Sequence, residues 1–595
     1  MKKDFILVLF AILLFYSNLS FGQLSGNYII GGPNGNYPNP SIAIQSLIQQ
    51  GVNGPVTFEV YPGLYQVKVS IPVIQGSSEQ NTVTFISQTH NPDDVEFYYS
   101  DNILYGSSYI ILLNGAKNIA FKYISFIQKG VESGCILVNN YSGNIKLIGN
   151  KLSAPNFNPN HLSNALIGSP NISVAPLSGY FYIEGNIFHK GSYGIRLSSS
   201  TWYEKATFIN NTFKQCYRGV ILHKADSVQI MHNYIYSLKE CGVFNMNYLE
   251  FSNNTIYGNF GTGSVQEADI KNNTFISNQY NSLEITNTNN CRFYYNSVLS
   301  HFTHYLDESS VDIHDNTNMI IKNNIFVNDS SGYLVHYNSN SNILMDYNVY
   351  YTANDTIFIN LVGPSYTSLS SWQSASGQDA HSVFVKPNFS KLSDLHLQPN
   401  NSQIVGAGVP LPSVVNDIDG DLRNATHPDI GADEYVLRPI LDTVVWACAG
   451  SSVILDAGAG FSSYKWSNGA STQTITIDTS GVGVGQVVYS VVVSNAGNSA
   501  NASTRVIWQN CTSLLHYQEQ FIDVNVFPNP TNGIINIDMP NDIIDFELRL
   551  YNSSGKLVIQ RKNQYQLNVS ECAEGLYFIH VLIKGSSIMR KLIIR

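Results

Sequence analysis

EFSNNTIYG (Glu250–Gly258), DIKNNTFIS (Asp269–Ser277) and RFYYNSVLS (Arg292–Ser300) are one short pattern written three times. An asparagine stands at its centre, an apolar residue follows two positions later, and another precedes it by three. Read outward in both directions, the pattern runs from Ile145 to Tyr350. It occurs nine times, on Asn150, Asn186, Asn211, Asn233, Asn254, Asn273, Asn296, Asn324 and Asn348. The residues two after are Leu152, Phe188, Phe213, Ile235, Ile256, Phe275, Val298, Phe326 and Tyr350, and those three before run from Leu147 to Met345.

Consecutive asparagines lie between 19 and 36 residues apart, most near 22, which is the repeat of a solenoid coil and a poor match to helical hairpins, blades or heptads. Apolar positions spaced by two make each repeat a short strand with one buried face, and the asparagine interrupts that alternation at a turn. Asparagine suits the turn because it tolerates the left-handed backbone region and because its amide can bond the amide of the next coil. The expected fold is therefore all-β: a right-handed parallel β-helix rising about 4.8 Å per coil, so that the repeats span roughly 40 Å.

The 595 residues correspond to about four domains by length alone, although a solenoid absorbs several hundred residues as one. Only 12% of residues are charged, about one in nine is Asn, and Tyr (37) and Phe (29) are abundant. That composition fits long stacked β surfaces with polar turns and fits disorder badly. A net charge of -10 without a basic run argues against nucleic acid or anionic lipid as the main partner. Seven cysteines over this length do not make a disulfide framework.

The chain opens with Lys2 and Lys3, an apolar run from Phe5 to Phe15, and Ser20-Phe21-Gly22, the pattern of a secretory signal peptide over 1–22. The run is too short for an ordinary membrane span, and no other segment is long and apolar enough, so no transmembrane segment is expected in the mature protein. SIAIQSLIQQ (Ser41–Gln50), ending at Gly51, reads as an amphipathic helix with a glycine stop, well placed to cap the open end of a solenoid. Short alternating strands at Val56–Val60, Tyr65–Ile71, Thr82–Ile86 and Ile119–Ile127 are the first coils. Cap and first coils occupy 23–118 and the regular β-helix 119–436. The opening from YIIGGPNG to NTVTF resembles the start of many secreted β-helix proteins from Bacteroidetes-type bacteria.

After Tyr350 the cadence is lost, and the solenoid is expected to close with DIDGDLRNATHPDIGADEY (Asp417–Tyr435). Asp417, Asp419 and Asp421 around Gly420 alternate as calcium ligands do, which makes Ca2+ a possible cofactor. The alternative is that these acids only hydrogen-bond the last turn, and no bidentate acid follows at the EF-hand offset. Residues 437–512 carry short strands parted by Gly/Ser/Asn turns, the rhythm of a small β-sandwich. YKWSNG (Tyr464–Gly469) and YSVVVSNAG (Tyr489–Gly497) resemble immunoglobulin-like or PKD-like modules, and in an exported chain the flanking Cys448 and Cys511 are expected to pair.

After a linker at 513–524, residues 525–595 carry VFPNPTNG (Val526–Gly533), LRLYNSSGKLV (Leu548–Val558), GLYFIHVLIKG (Gly575–Gly585) and the terminal KLIIR. In order and spacing these resemble the C-terminal sorting domain of type IX secretion cargo. The resemblance implies a second small β-sandwich, recognition by the type IX secretion machinery through 525–595, and release from the cell or attachment to its surface.

Two functions fit such a rod: passive binding of extracellular polysaccharide, as an adhesin does, or a polysaccharide lyase or glycoside hydrolase with its site on an outward ladder. Fold alone confers neither. A lyase needs a base and a cation, and a hydrolase needs close carboxylates. Four residues before the asparagine, Glu250, Asp269 and Arg292 fall on adjacent coils with Lys271 beside them, close enough to perturb one another or simply to form a solvated ion-pair row. Eleven residues after it, Glu284 and Asp307 are expected to stack. The segment HFTHYLDESSVDIHDN (His301–Asn316) adds His304, Glu308, Asp312 and His314, a density of imidazole and carboxylate that makes it the leading candidate for acid–base or metal chemistry, although its spacing matches no zinc motif. Arg196, Arg218 and His223 can reach a sugar acid, and Tyr182, Tyr294 and Tyr295 can stack on sugars or pack as core. Cys291 reads as an inward ladder residue.

Overall fold

Each apolar row predicted from the asparagine phase is a row of hydrogen-bonded neighbours in the computed structural model. The structure describes residues 22–594 except 101–107, 131–132, 156–164, 169–175, 279–280, 302–308, 330–332, 354–357, 360–363, 399, 436–438, 440, 459–460, 480–482, 496–497, 510–524, 528–530, 532, 539–545, 553–556, 571, 574 and 584–585. All but Gly22 of the expected signal peptide, and the expected 513–524 linker, lie outside the described residues. The chain divides into two units, Met1–Val436 and Leu437–Arg595.

The first unit is a parallel β-helix with three strand faces. Its first face includes Gly143–Ile148, Tyr180–Glu184, Cys291–Tyr294 and Thr317–Lys322. The second includes Lys151–Ser153, Ile187–His189, Thr274–Ser277 and Ser297–Ser300, and the third Ser133–Asn139, Leu283–Thr286, Ser309–His314 and Tyr333–Asn338. In mid-rod the chain bends around the corners without losing its pairing, so Tyr193–Ile209, Arg218–Met231, Tyr234–Ser252 and Thr255–Lys271 are continuous strands. Leu152, Phe188, Phe213, Ile235, Ile256, Phe275, Val298, Phe326 and Tyr350 pair in that order. Their side chains are buried, and Phe188 and Phe213 stack with centroids 4.5 Å apart. Each buried ring stabilises the rod by about 1.5–3 kcal/mol of apolar burial.

The asparagines form a ladder inside the wall. The Asn211 Oδ1 accepts from the Asn186 backbone N–H (2.9 Å) and its Nδ2 (3.1 Å), while Asn211 itself donates to Asn233 Oδ1 and to the Ile183 carbonyl. The same set repeats from Asn150 to Asn348. One expectation is corrected here: the left-handed residue is not the ladder asparagine but the one before it. Gly149, Gly185, Asn210, His232, Asn253, Asn272, Tyr295, Asn323 and Tyr347 have φ between 52° and 63°. The ladder asparagine is selected instead for its amide, which satisfies backbone groups that burial would otherwise leave unpaired.

Helix α1 (Pro40–Gln50) begins where the Asn39 side chain accepts from the Ile42 N–H at 3.0 Å and ends at Gly51, φ 66°. Its Ala43, Ile44 and Leu47 are buried in the rod's core, as a cap requires. A second helix, α2 (Leu369–Ser376), lies in the Ser-rich segment where no element was expected. Ser368 and Ser371 form its capping box, and Trp372 enters the same core. The Asn ladder ends beside it on Asp379, which accepts from Asn348 Nδ2, Tyr350 Oη, Ser382 Oγ and Trp372 Nε1.

The segment expected to close the solenoid does something else. Residues 405–435 lie as a strap along the side of the rod, fastened by the left-handed residues of successive coils. Asn253 donates to the Asp417 carbonyl (2.7 Å), Asn272 to that of Asn416 (2.8 Å) and Asn323 to that of Val409 (2.8 Å). Arg423 is buried, stacked 3.9 Å over Tyr295, and donates to Asn272 Oδ1 and to the Gly431 and Ala432 carbonyls. Gly431 approaches the wall so closely that a Cβ there would meet Ile325 Cδ1 at 2.6 Å.

The second unit holds two small β-sandwiches. In one, the hairpin Gly485–Asn495 and Asn498–Gln509 forms a sheet with Val444–Cys448 and Ser463–Trp466, and Val453–Asp456 pairs with Thr474–Ile477. Trp466, Trp508, Val491 and Val493 are in its core. In the other, Phe546–Asn552, Leu557–Lys562, Gly575–Ile583 and Ser586–Ile594 form a sheet, with Asn525–Phe527, Ile534–Asp538 and Gln566–Asn568 in a second. Leu548, Leu550, Ile579 and Val581 are buried there. Cys448 is disulfide-bonded; Cys511 lies outside the described residues. Cys291 is buried in the rod's core.

Candidate functional site

Because the strand period is two, every outward row on the rod can be read from the register. On the third face one row runs Arg196, Ile221, Gly242, Gly261, Glu284, Asp312 and His336. Two residues along, its neighbour runs Ser198, His223, Phe244, Gly263, Thr286, His314 and Asn338. Of the residues singled out in the sequence, Glu284, Asp312 and His314 therefore come together. His304, Asp307 and Glu308 lie outside the described residues. The stacking partner of Glu284 is Asp312 and not Asp307, because the segments before the third-face strands differ in length, so a fixed count from the asparagine drifts.

The local sequence sets the surface around these acids. A Cβ at Gly242 would meet the Phe244 ring at 2.4 Å, and one at Gly261 would lie 3.7 Å from that ring and 4.0 Å from Glu284 Oε2. The glycines thus let Phe244 lie down across the coils, and His223 stacks on it with centroids 5.1 Å apart and planes 21° apart. The result is a flat aromatic platform next to Glu284. Burial, with Arg196 and Lys224 nearby, holds the His223 pKa below the usual imidazole value, so it stays neutral at neutral pH. Arg218 donates to Tyr193 Oη at 2.7 Å and pairs with Glu240 at 2.9 Å, while Arg196 lies over the Tyr193 ring.

The two carboxylates sit in different environments. Glu284 is half-buried, and desolvation, followed by the charge of Asp312, raises its pKa. Asp312 meets His336 Nδ1 at 2.7 Å, with His314 Nε2 at 3.9 Å. His314 Nδ1 is 2.9 Å from Asp315. His336 Nε2 is buried and has no hydrogen-bond partner among the described residues. One carboxyl whose pKa burial and a neighbouring acid raise, beside another held by an imidazole, is the kind of asymmetry that divides acid from base. His336 was missed in the sequence. The signal that finds it is a second, shorter ladder: Asn316 Oδ1 accepts from the Thr288 N–H and Asn340 Oδ1 from that of Asn316. Counting back four from Thr288, Asn316 and Asn340 gives Glu284, Asp312 and His336.

The other candidates are placed differently. Glu250, Asp269 and Arg292 are neighbours on the first face as expected, but they neutralise one another. Arg292 bonds Asp269 and, at 2.8 Å, Glu267; Lys271 reaches Glu250 at 3.4 Å; and Gln229 and Tyr248 donate to Glu250 and Asp269. Tyr294 and Tyr295 are buried and offer no surface to a sugar. In the strap, Asp417 Oδ1 accepts from the Asp419 and Asp421 N–H groups and Oδ2 from that of Glu434. Its oxygens serve the turn, which is the hydrogen-bonding alternative to a calcium loop, and Asp419 points instead to His396 Nε2 at 2.8 Å.

Residues 153–298 match the right-handed β-helix region family, and residues 525–595 match the secretion system C-terminal sorting domain. The protein is exported by the type IX secretion system. This β-helix protein is secreted or held at the cell surface, and among the described residues no helix is long and apolar enough to cross a membrane. No curated protein matches the chain. Solved structures similar to it include the mannuronan C-5 epimerase A-module of Azotobacter vinelandii (10% identity, 58% of this chain and 96% of that one, TM-score 0.27). A pectin methylesterase from Aspergillus niger (9%, 63% and 96%, 0.22) and a DFA-IIIase from Arthrobacter chlorophenolicus A6 (11%, 67% and 99%, 0.34) are further examples. Likeness at this level does not bear on chemistry or substrate.

Proposed function

We propose that the exported β-helix protein is a glycoside hydrolase acting on an extracellular polysaccharide, with its site on the third face. The observation that carries this reading is the register pair Glu284–Asp312 beside the Phe244–His223 platform. A pyranose ring stacks its apolar face on such a platform, which sets the next glycosidic bond over the acids. Glu284, whose pKa burial and Asp312 raise, donates its proton to the leaving oxygen. Asp312, oriented by His336, takes a proton from the attacking water. The backbones of the two residues are one coil apart, about 4.8 Å. Their carboxyl groups lean apart, Glu284 over Gly261 and Asp312 toward His336, which favours the wider spacing of an inverting pair, about 6.5–9.5 Å, over the roughly 5 Å of a retaining one.

The test is release of reducing ends from a panel of neutral and uronic glycans, with the anomer of the first product read by NMR. Turnover that survives both Glu284→Gln and Asp312→Asn rules the site out, and a retained anomer rules out the inverting geometry. A lyase, whose products absorb as unsaturated uronides, would also overturn it. The second reading, a passive polysaccharide binder or adhesin, is favoured by the platform alone; glycan binding without turnover would select it.

A further inference from the structure

On the second face, away from Glu284 and Asp312, a cleft of about 700 Å³ opens between the rod and the segments 391–396 and 418–419. Tyr234, Tyr236 and Tyr257 line one wall, and Asp394, His396 and Asp419 line the other. Tyr257 Oη donates to the Ser393 carbonyl, and Asn253 donates to the Ile418 carbonyl at 3.2 Å, so both passes of chain that carry the polar wall are pinned to the coils. His396, Asp419 and Asp433 are the one group of three or more His, Cys and acidic side chains among the described residues whose donor atoms all lie within 4.8 Å of one another.

We propose that His396 Nε2 and the carboxylates of Asp419 and Asp433 bind a divalent transition-metal ion, Zn2+ by donor type, with its remaining coordination positions facing the tyrosine-lined cleft. This site is independent of the hydrolytic reading. Three features support it. His396 Nδ1 bonds Asp394 while Nε2 faces Asp419, and a carboxylate behind the distal nitrogen is how ligating imidazoles are oriented and made more basic. Three carboxylates surround one imidazole, so the group carries −3 when the ring is neutral and able to ligate, and a divalent ion cancels two of those charges. The donors lie within 4.8 Å of one another, with His396 Nε2 and Asp419 2.8 Å apart, near enough to close on a four-coordinate ion, whose bonds of about 2.0–2.2 Å put its ligands roughly 3.4 Å apart. Asp433 is buried and fixed by the Leu397 N–H at 2.7 Å, whereas His396 and Asp419 are exposed enough to adjust. One nitrogen with carboxylate oxygens selects Zn2+ over Ca2+, which prefers six or more oxygens. The ion would join the 394–397 pass to the 419–433 pass, stapling the cleft's outer wall.

The experiment uses the untagged full chain, stripped with chelator and then titrated with Zn2+, Ca2+ or Mg2+ by calorimetry, with metal content and Tm measured in parallel. One tightly held Zn2+ per chain, a raised Tm and no comparable effect of Ca2+ are expected. His396→Ala and Asp419→Asn should abolish both binding and the Tm rise while keeping the chelated wild-type Tm, which shows that they fold. Asp394→Asn should weaken Zn2+ binding by about 10–100-fold, as loss of an outer-shell partner does. Co2+ in place of Zn2+ should give the visible bands of a four-coordinate N/O site, and these should vanish in His396→Ala. Stoichiometric binding unchanged in His396→Ala, no Zn2+ binding at all, or an equal effect of Ca2+ would each overturn the assignment, leaving the group as an ion-paired histidine.

Discussion

On the first face, Glu250 and Asp269 each meet a cation from their own row or the next coil, Lys271 and Arg292 respectively. On the third face, Glu284 and Asp312 stack with the same register, but Asp312 meets two histidines and Glu284 lies beside an aromatic platform. The rod presents both pairs one coil apart, so spacing does not distinguish them. The company does: a row whose charges cancel is a structural strip worth little per pair, while a row that raises one acid and orients its neighbour holds a proton ready to move. Proximity of acids on a solenoid is thus common, and asymmetry of their surroundings is the informative feature.

The largest expected effect separates these rows directly. Glu284→Gln or Asp312→Asn should lower turnover by about 10³-fold, as removal of an acid or base does, while Asp269→Asn leaves it within twofold; equal losses in both rows would erase the distinction. The next contrast lies between adjacent residues of one turn. Asn211→Ala should lower stability by about 2–4 kcal/mol in denaturant titration, since buried donors and acceptors on two coils lose their partners. Asn210→Ala, at an exposed left-handed position, should cost only about 1 kcal/mol.

A smaller effect is in the pH profile of turnover. Because the Glu284 pKa is raised, the acid form persists to higher pH than for an ordinary glutamate. The rate should fall as pH rises through that raised value, and Glu284→Gln should remove this basic limb. Persistence of the limb in Glu284→Gln would reassign it to another group. Least of all, Arg292→Ala should destabilise the rod by under about 1 kcal/mol, because the half-exposed pair is screened by solvent; a larger loss would show the first-face row to be more than a surface strip.

The inward rows were legible in the sequence because strand alternation and the asparagine phase are local, and every predicted neighbour from Leu152 to Tyr350 pairs as expected. What the sequence concealed is non-local. The Ser-rich stretch Leu369–Ser376 is a poor helix former, stabilised by its capping box and by Trp372 entering the core. The strap's course depends on coil side chains more than 80 positions away in the chain, as between Asn323 and Val409. At the site, Glu284, Asp312 and His314 were recognised by their chemistry. Their partners were not, because loops of unequal length shift the count from one face to the next. Gly242, Gly261 and Gly263 carried no signal until Phe244 was seen lying over them.

The asparagine ladder also has a direction. Each ladder amide gives one N–H to the acceptor of the later coil and another to a carbonyl of the earlier coil, while from Asn186 to Asn348 every Oδ1 accepts from the earlier coil, so the oxygens all face the same way. Aligned peptide dipoles in a helix sum to a partial positive charge at the end where N–H groups are left over, and a column of stacked amides has the same polarity. Asp379, an acceptor-only group when ionised, occupies that end. The amide column is therefore polar along its length with an acid at its end, and a coil added after Asn348 would have to supply an equivalent acceptor before it could extend the column.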